Sequence, residues 1–122
     1  MDKLVIDEEY ADNVVVLKMR GIVDSGTAQF LEDTFNELLA ANTVRIVADL
    51  GEVNYISSAG WGIFVGEIKG IRQRGGDIKL AAMPPDVREV FELLEFSTLL
   101  RPYGTREEAI AAFTAHQNTK TP

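Results

Sequence analysis

What most constrains the fold of this chain is that its apolar residues switch back and forth between a period of two and a period of three to four. A period of two marks a half-buried strand and a period of three to four an amphipathic helix, so the switching predicts alternating strands and helices. Asp2 to Tyr10 alternates, with Leu4, Ile6 and Glu8 on one side and Lys3, Val5 and Asp7 on the other. The turn pair Asp12-Asn13 separates it from the β-rich run Val14 to Arg20, which predicts an antiparallel hairpin. Ala28, Leu31, Phe35, Leu38 and Leu39 then predict a helix over Ser25 to Asn42, with Asp24 or Ser25 as its cap. Val44 to Leu50 reads as an internal strand, with Val44, Ile46, Ala48 and Leu50 on one face and Val47 on the other. The polar stretch Gly51 to Ser57 reads as a loop into a second helix over Ser58 to Arg74, which Gly75-Gly76 stops. Ile78 to Ala82 is a short strand, and Pro84-Pro85 opens a third helix with Val87, Val90, Phe91 and Leu94 on one face. Another short strand follows near Thr98 to Arg101. Thr105 with Glu108 forms a capping box for a last helix carrying Ile110 and Phe113.

The order β-β-α-β-α-β-α-β-α predicts an α/β fold: a mixed, mostly parallel central sheet extended by the N-terminal antiparallel hairpin, with about four helices. With 122 residues and no repeat or linker, the chain reads as one domain over residues 1–116 and a flexible tail over 117–122. Phe64, Ile68, Ile71, Phe91 and Leu94 are assigned to its core.

Most kinds of chemistry are poorly provided for. There are no cysteines, which removes disulfides, thiolate metal sites and cysteine nucleophiles. The only histidine, His116, lies in a polar stretch without a nucleophile and an orienting carboxylate around it, so a hydrolytic triad is not expected. Acidic residues are scattered and no two histidines can converge on a metal. Twelve basic against 19 acidic residues give a net charge of −7, a field that repels phosphate backbones and anionic membranes. No apolar run approaches the ~20 residues that span a bilayer, and the start Met1-Asp2-Lys3-Leu4 does not read as a secretion signal. A cytoplasmic protein that is not an enzyme is the expectation.

Gly60-Trp61-Gly62-Ile63-Phe64-Val65-Gly66 invites comparison with a dinucleotide fingerprint, but its third glycine is one residue late and the segment does not follow its strand directly. Gly62 and Gly66 instead lie one helical turn apart, where another backbone could come close.

The most specific segment is Asp49-Leu50-Gly51-Glu52-Val53-Asn54-Tyr55-Ile56-Ser57-Ser58-Ala59-Gly60-Trp61-Gly62. It leaves a strand and delivers two hydroxyls to a helix start, where unpaired N–H groups and a partial positive charge favour an anion. This segment resembles the STAS domain family, and within it the bacterial anti-sigma factor antagonists. The resemblance spans about residues 4 to 115 and also rests on Gly21-Ile22-Val23-Asp24, Val87-Arg88-Glu89-Val90-Phe91-Glu92-Leu93-Leu94 and Glu107-Glu108-Ala109-Ile110.

The resemblance implies a partner switch and no cofactor. In that family an unphosphorylated antagonist binds an anti-sigma factor that is also a GHKL-type serine kinase, which frees the sigma factor. Phosphorylation within Asp-Ser-[Ser/Thr]-Gly releases the antagonist, and a PP2C-type phosphatase resets it. The acceptor falls on Ser58, the family's aspartate on Ser57 and its following hydroxyl residue on Ala59, so two of the motif's positions differ here. Ser57 is then a second candidate acceptor. Asp24 is the family's acidic neighbour of the phosphoserine, and Asp24, Ser57, Ala59, Gly60, Trp61 and Gly62 are the expected partner-binding residues.

Each has a plainer reading. Ser58 can be the helix N-cap, accepting from the N–H of Gly60 or Trp61; Ser57 a loop hydroxyl; Trp61 an aromatic at the edge of the core. A different class of function also stands: an unphosphorylated STAS scaffold or regulatory subunit of a larger complex, stressosome-like or transporter-associated, which the missing aspartate favours.

Overall fold

A computed structural model describes the backbone of residues 3–119 and the side chains of residues 3–114. The hairpin is formed by β1 (Leu4–Ala11) and β2 (Val14–Val23), turning at Asp12, whose φ is +56°. Helix α1 (Ala28–Ala40), strand β3 (Arg45–Ile56), helix α2 (Ser58–Gln73), strand β4 (Asp77–Ala81) and helix α3 (Pro85–Leu93) follow. A 3₁₀ turn over Phe96–Thr98, strand β5 (Arg101–Tyr103) and helix α4 (Arg106–Thr119) complete the order. The last helix thus runs beyond residue 116; residues 120–122 and the side chain of His116 lie outside the described residues.

The five strands lie side by side in chain order, with β1 antiparallel to β2 and the remaining neighbours parallel. A sheet laid down in one direction by right-handed crossovers must carry every crossover helix on the same face. Accordingly α1, α2 and α3 bury Leu31, Phe35, Phe64, Ile68, Ile71, Val87 and Phe91 in one large core against that face. Helix α4 covers the other face through Ala109 and Phe113, packed with Val14, Val16, Val47 and Ala81.

The main departure from the expected elements is in β3. It continues for 12 residues to Ile56, through the stretch read as a loop. Lys18 pairs with Asp49 but Arg20 with Glu52, and Gly21 pairs with Val53 but Ile22 with Tyr55, so β3 carries one extra residue at each of two places. An extra residue interrupts the alternation of faces. Leu50, Val53 and Ile56, three apart, therefore all point into the same core.

Two smaller corrections lie after α3. The expected strand near Thr98 begins at Arg101, because the 3₁₀ turn intervenes. Leu94, assigned to the core, is 47% exposed: α3 ends at Leu93 and Glu95 turns left-handed at φ +59°, and Leu100 supplies the buried side chain of this region. Gly75, at φ +85°, stops α2 where expected.

Aromatic packing joins the helices. Phe64 meets Phe35 of α1 edge-on with ring centroids 5.7 Å apart, and lies 5.7 Å from Trp61. Trp61 in turn lies 5.5 Å from Phe91 and 5.4 Å from Phe96. Such pairs contribute beyond their buried area. Phe64→Ala is expected to lower stability by about 3–5 kcal/mol, measured by urea unfolding, because it opens a cavity between α1, α2 and the sheet.

Candidate functional site

The parallel pairing of β2 and β3 brings the ends of both strands to one edge of the sheet. Val23 is opposite Ile56, and the carbonyl of Val23 accepts a hydrogen bond from the N–H of Ser57 at 2.8 Å. On the β2 side the chain enters a tight turn built on Asp24. Its Oδ1 accepts from the N–H groups of Gly26 (2.9 Å) and Thr27 (3.2 Å). The Thr27 hydroxyl donates to the Ile22 carbonyl at 2.9 Å and accepts from the Asp24 N–H at 2.9 Å. Asp24 is therefore fixed, and what it caps is this turn. The N-cap of α1 is Thr27, which makes no side-chain capping bond, so neither Asp24 nor Ser25 is the helix cap.

On the β3 side Ser57 is the N-cap of α2, with φ −79° and ψ 173°, and its Oγ accepts from the N–H of Gly60 at 3.3 Å. The capping bond expected of Ser58 belongs to Ser57 because β3 reaches Ile56, which makes Ser57 the first residue beyond the strand. Ser58 is the first helical residue, is exposed, and its hydroxyl makes no hydrogen bond among the described residues. No acidic residue lies in the first turn of α2, so nothing within that turn offsets its partial positive charge.

Gly60 and Trp61, both expected on a docking surface, are buried in the chain. A Cβ on Gly60 would fall 2.7 Å from Cγ1 and 2.9 Å from the carbonyl oxygen of Val23, so the helix start rests directly on the end of β2. Trp61 is 0% exposed, because the 3₁₀ turn after α3 brings Phe96 over a ring that a helical wheel places at the edge. Ser58, Ala59 and Gly62 remain exposed, and Asp24 and Ser57 are half-buried. The close backbone approach expected at Gly62 and Gly66 is not seen among the described residues: beyond the helix's own nearby backbone, none of their atoms lies within 4 Å of where a Cβ would be at either.

Two exposed apolar residues at this end of the sheet were not anticipated as site residues. Phe30, in the first turn of α1, is 46% exposed, and Tyr55, next to the end of β3, is 52% exposed. Phe30 falls outside the apolar stripe of Leu31, Phe35 and Leu38, which is the signal that identifies it. Further along α2, burial and the nearby charge of Glu32 on α1 raise the pKa of Glu67 above its ordinary value. Among the described residues no cluster of three or more His, Cys, Asp or Glu could hold a metal, and no helix is long and apolar enough to cross a membrane.

The STAS domain family pattern matches residues 6–109. BtrV of Bordetella bronchiseptica, whose name places it among anti-sigma factor antagonists, is 36% identical over 111 residues, covering 91% of this chain and 94% of that protein. Among solved structures, a Thermotoga maritima chain described as an anti-sigma factor antagonist superimposes with a TM-score of 0.83 at 25% identity, covering 88% of this chain and 92% of that one. SpoIIAA of Bacillus in its unphosphorylated form shares the fold, with a TM-score of 0.78 at 19% identity and coverage of 91% and 97%.

The two serines should separate by stability. Ser57→Ala removes the cap and should cost about 0.5–2 kcal/mol in urea unfolding. Ser58→Ala should stay within about 0.5 kcal/mol of the parent. Glu67 has a folded pKa raised above its ordinary value of 4.5, so stability falls as pH rises from that value through the folded one. Glu67→Gln should accordingly raise the urea midpoint at neutral pH and lose that advantage below roughly pH 4.

Proposed function

We propose that this chain, which belongs to the STAS domain family, is an anti-sigma factor antagonist switched by phosphorylation of Ser58. It binds an anti-sigma factor with GHKL-type serine kinase activity while Ser58 is a free hydroxyl, is released when that kinase phosphorylates it, and is reset by a PP2C-type phosphatase. It acts in the cytoplasm by binding, not by catalysis. The observation that carries this reading is the division of labour between the two serines. Ser57 holds the helix start, leaving the hydroxyl of Ser58 exposed and unengaged. A phosphate can then be attached without removing the cap, at a helix start whose field favours negative charge.

The same geometry supports a reason for release. A phosphate brings a charge of about −1.5 to −2 and three acceptor oxygens to the centre of the contact surface. Asp24 cannot swing away, since its carboxylate is held by two backbone N–H groups. Ala59 and Gly62 flank the acceptor with almost no side-chain bulk, and Phe30 and Tyr55 offer apolar contact at the same end of the sheet. A partner fitted to this surface loses complementarity when the phosphate arrives, and the antagonist does not need to refold. Ser57 in place of the family's aspartate keeps the cap, since serine and aspartate cap about equally well, and removes one negative charge beside the phosphate.

The test is the intact mass of the protein isolated from its native cells, followed by sequencing of the modified peptide. One phosphate on Ser58, absent from Ser58→Ala but retained in Ser57→Ala, is the expected result. An unmodified mass in every growth condition, and after incubation with ATP and the anti-sigma kinases of those cells, would overturn the switch. The missing aspartate would then favour the scaffold reading, in which partners stay bound whatever the state of Ser58.

A further inference from the structure

At the opposite end of the sheet from Ser58, the first residues of β3, β4 and β5 and the middle of α4 enclose a cavity of about 520 Å³. Arg45, Arg72, Lys79 and Arg101 line it with a single carboxylate, Asp77. Four cations against one carboxylate make a formal charge of +3, in a chain whose net charge is −7. One third of the chain's 12 basic residues thus meet in one cavity.

Strand register explains the convergence. Arg45 on β3 is opposite Asp77 on β4, and Lys79 on β4 is opposite Arg101 on β5. Positions two apart on a strand share a face. Arg45, Asp77, Lys79 and Arg101 therefore stand on the α4 side, whereas Ile46, Ile78 and Leu80 point into the main core.

Asp77 is already engaged. Its Oδ1 accepts from Arg72 Nε (2.9 Å) and from the N–H of Ile78 (2.9 Å), and its Oδ2 from Lys79 Nζ (3.0 Å). Arg45 and Arg101 have no carboxylate partner among the described residues, and Nη1 of Arg45 is buried without a hydrogen-bond partner among them. Lys79, with a side chain only 12% exposed, also lies 4.6 Å from the ring centroid of Phe113 and 5.9 Å from that of Tyr103. Unpaired guanidinium groups are suited to forked hydrogen bonding with phosphate or carboxylate oxygens. The volume exceeds that of a lone phosphate and falls in the range of small-molecule sites.

We infer that this cavity is a binding site for the phosphate group of a small phosphomonoester, held by Arg45, Arg101 and Lys79, with Tyr103 and Phe113 as walls for the organic part. It is separated from Ser57 and Ser58 by the length of β3 and does not depend on the reading given to them.

The experiment is titration of ¹⁵N-labelled protein with inorganic phosphate, glucose 6-phosphate and AMP in turn, at ionic strength held constant with sodium chloride. Saturable shifts confined to the amides of residues 45, 75–79, 101 and 103 are expected. Arg101→Gln, an exposed change that leaves the core intact, should weaken binding at least tenfold, and so should Arg45→Gln in a protein whose remaining spectrum is unshifted. Tighter binding of either ester than of inorganic phosphate identifies an ester as the occupant. Equal binding of all three would mean that only the phosphate group is recognised and would overturn the assignment of an organic part to Tyr103 and Phe113. Shifts that fail to saturate, that chloride reproduces, that survive Arg101→Gln undiminished, or that centre on the start of α2 would overturn the site.

Discussion

The parallel pairing of β2 with β3 positions everything at the Ser58 end of the molecule. With a regular register, a residue three after Leu50 would point to the opposite face of the sheet. Two extra residues in β3 restore Val53 and Ile56 to the main core, and so allow the strand to continue through a stretch rich in polar residues. Because the strand runs to Ile56, Ser57 is the first residue beyond it and becomes the cap of α2. Gly60 then allows the first turn of the helix to sit on Val23 at a distance that no larger residue could occupy. The exposed hydroxyl of Ser58 follows from this sequence of constraints.

A switch built on such a surface benefits from a rigid support. Ser58 lies on the first turn of α2, and the second residue of that turn's buried side is Trp61, in contact with Phe64, Phe91 and Phe96. The end of β2 is held as firmly, by the hydrogen bonds of Asp24 and Thr27. Elements held this way do not give when charge is added at the surface, so a phosphate would alter the potential and shape presented to a partner while the fold underneath stayed as it is.

Much of this was legible in the sequence. The change of period pointed to the four α-helices, and the alternation of strands with helices to a mostly parallel sheet extended by an antiparallel hairpin. What the pattern concealed were features that depend on pairing between distant segments. Leu50, Val53 and Ile56 match neither a strand nor a helix period, and only their partners on β2 show them to be bulged strand. The burial of Trp61 depends on Phe96, which lies 35 residues later in a turn with no periodic signature. Leu94 continued the apolar face of α3 on paper, yet the helix ends one residue before it. Two hydroxyls at a helix start were evident from the motif, but which of them caps the helix was settled by where the preceding strand stops.

The charge distribution of the chain makes a final point about reading composition. A net charge of −7 argues against binding polyanions, whose extended backbone would meet the field of the whole surface. It says little about a single phosphate group in a cavity, where interactions over a few ångströms dominate and more distant surface charges are screened within roughly a Debye length of 8–10 Å. Alternation along three neighbouring strands gathers Arg45, Lys79 and Arg101 on one face, although they are far apart in sequence. Asp77 offsets part of that charge and holds Arg72 and Lys79 in place. An acidic protein can in this way keep a local basic site, and the two ends of its sheet can differ in sign: one where added negative charge would oppose a fixed carboxylate, and one where it would meet unpaired cations.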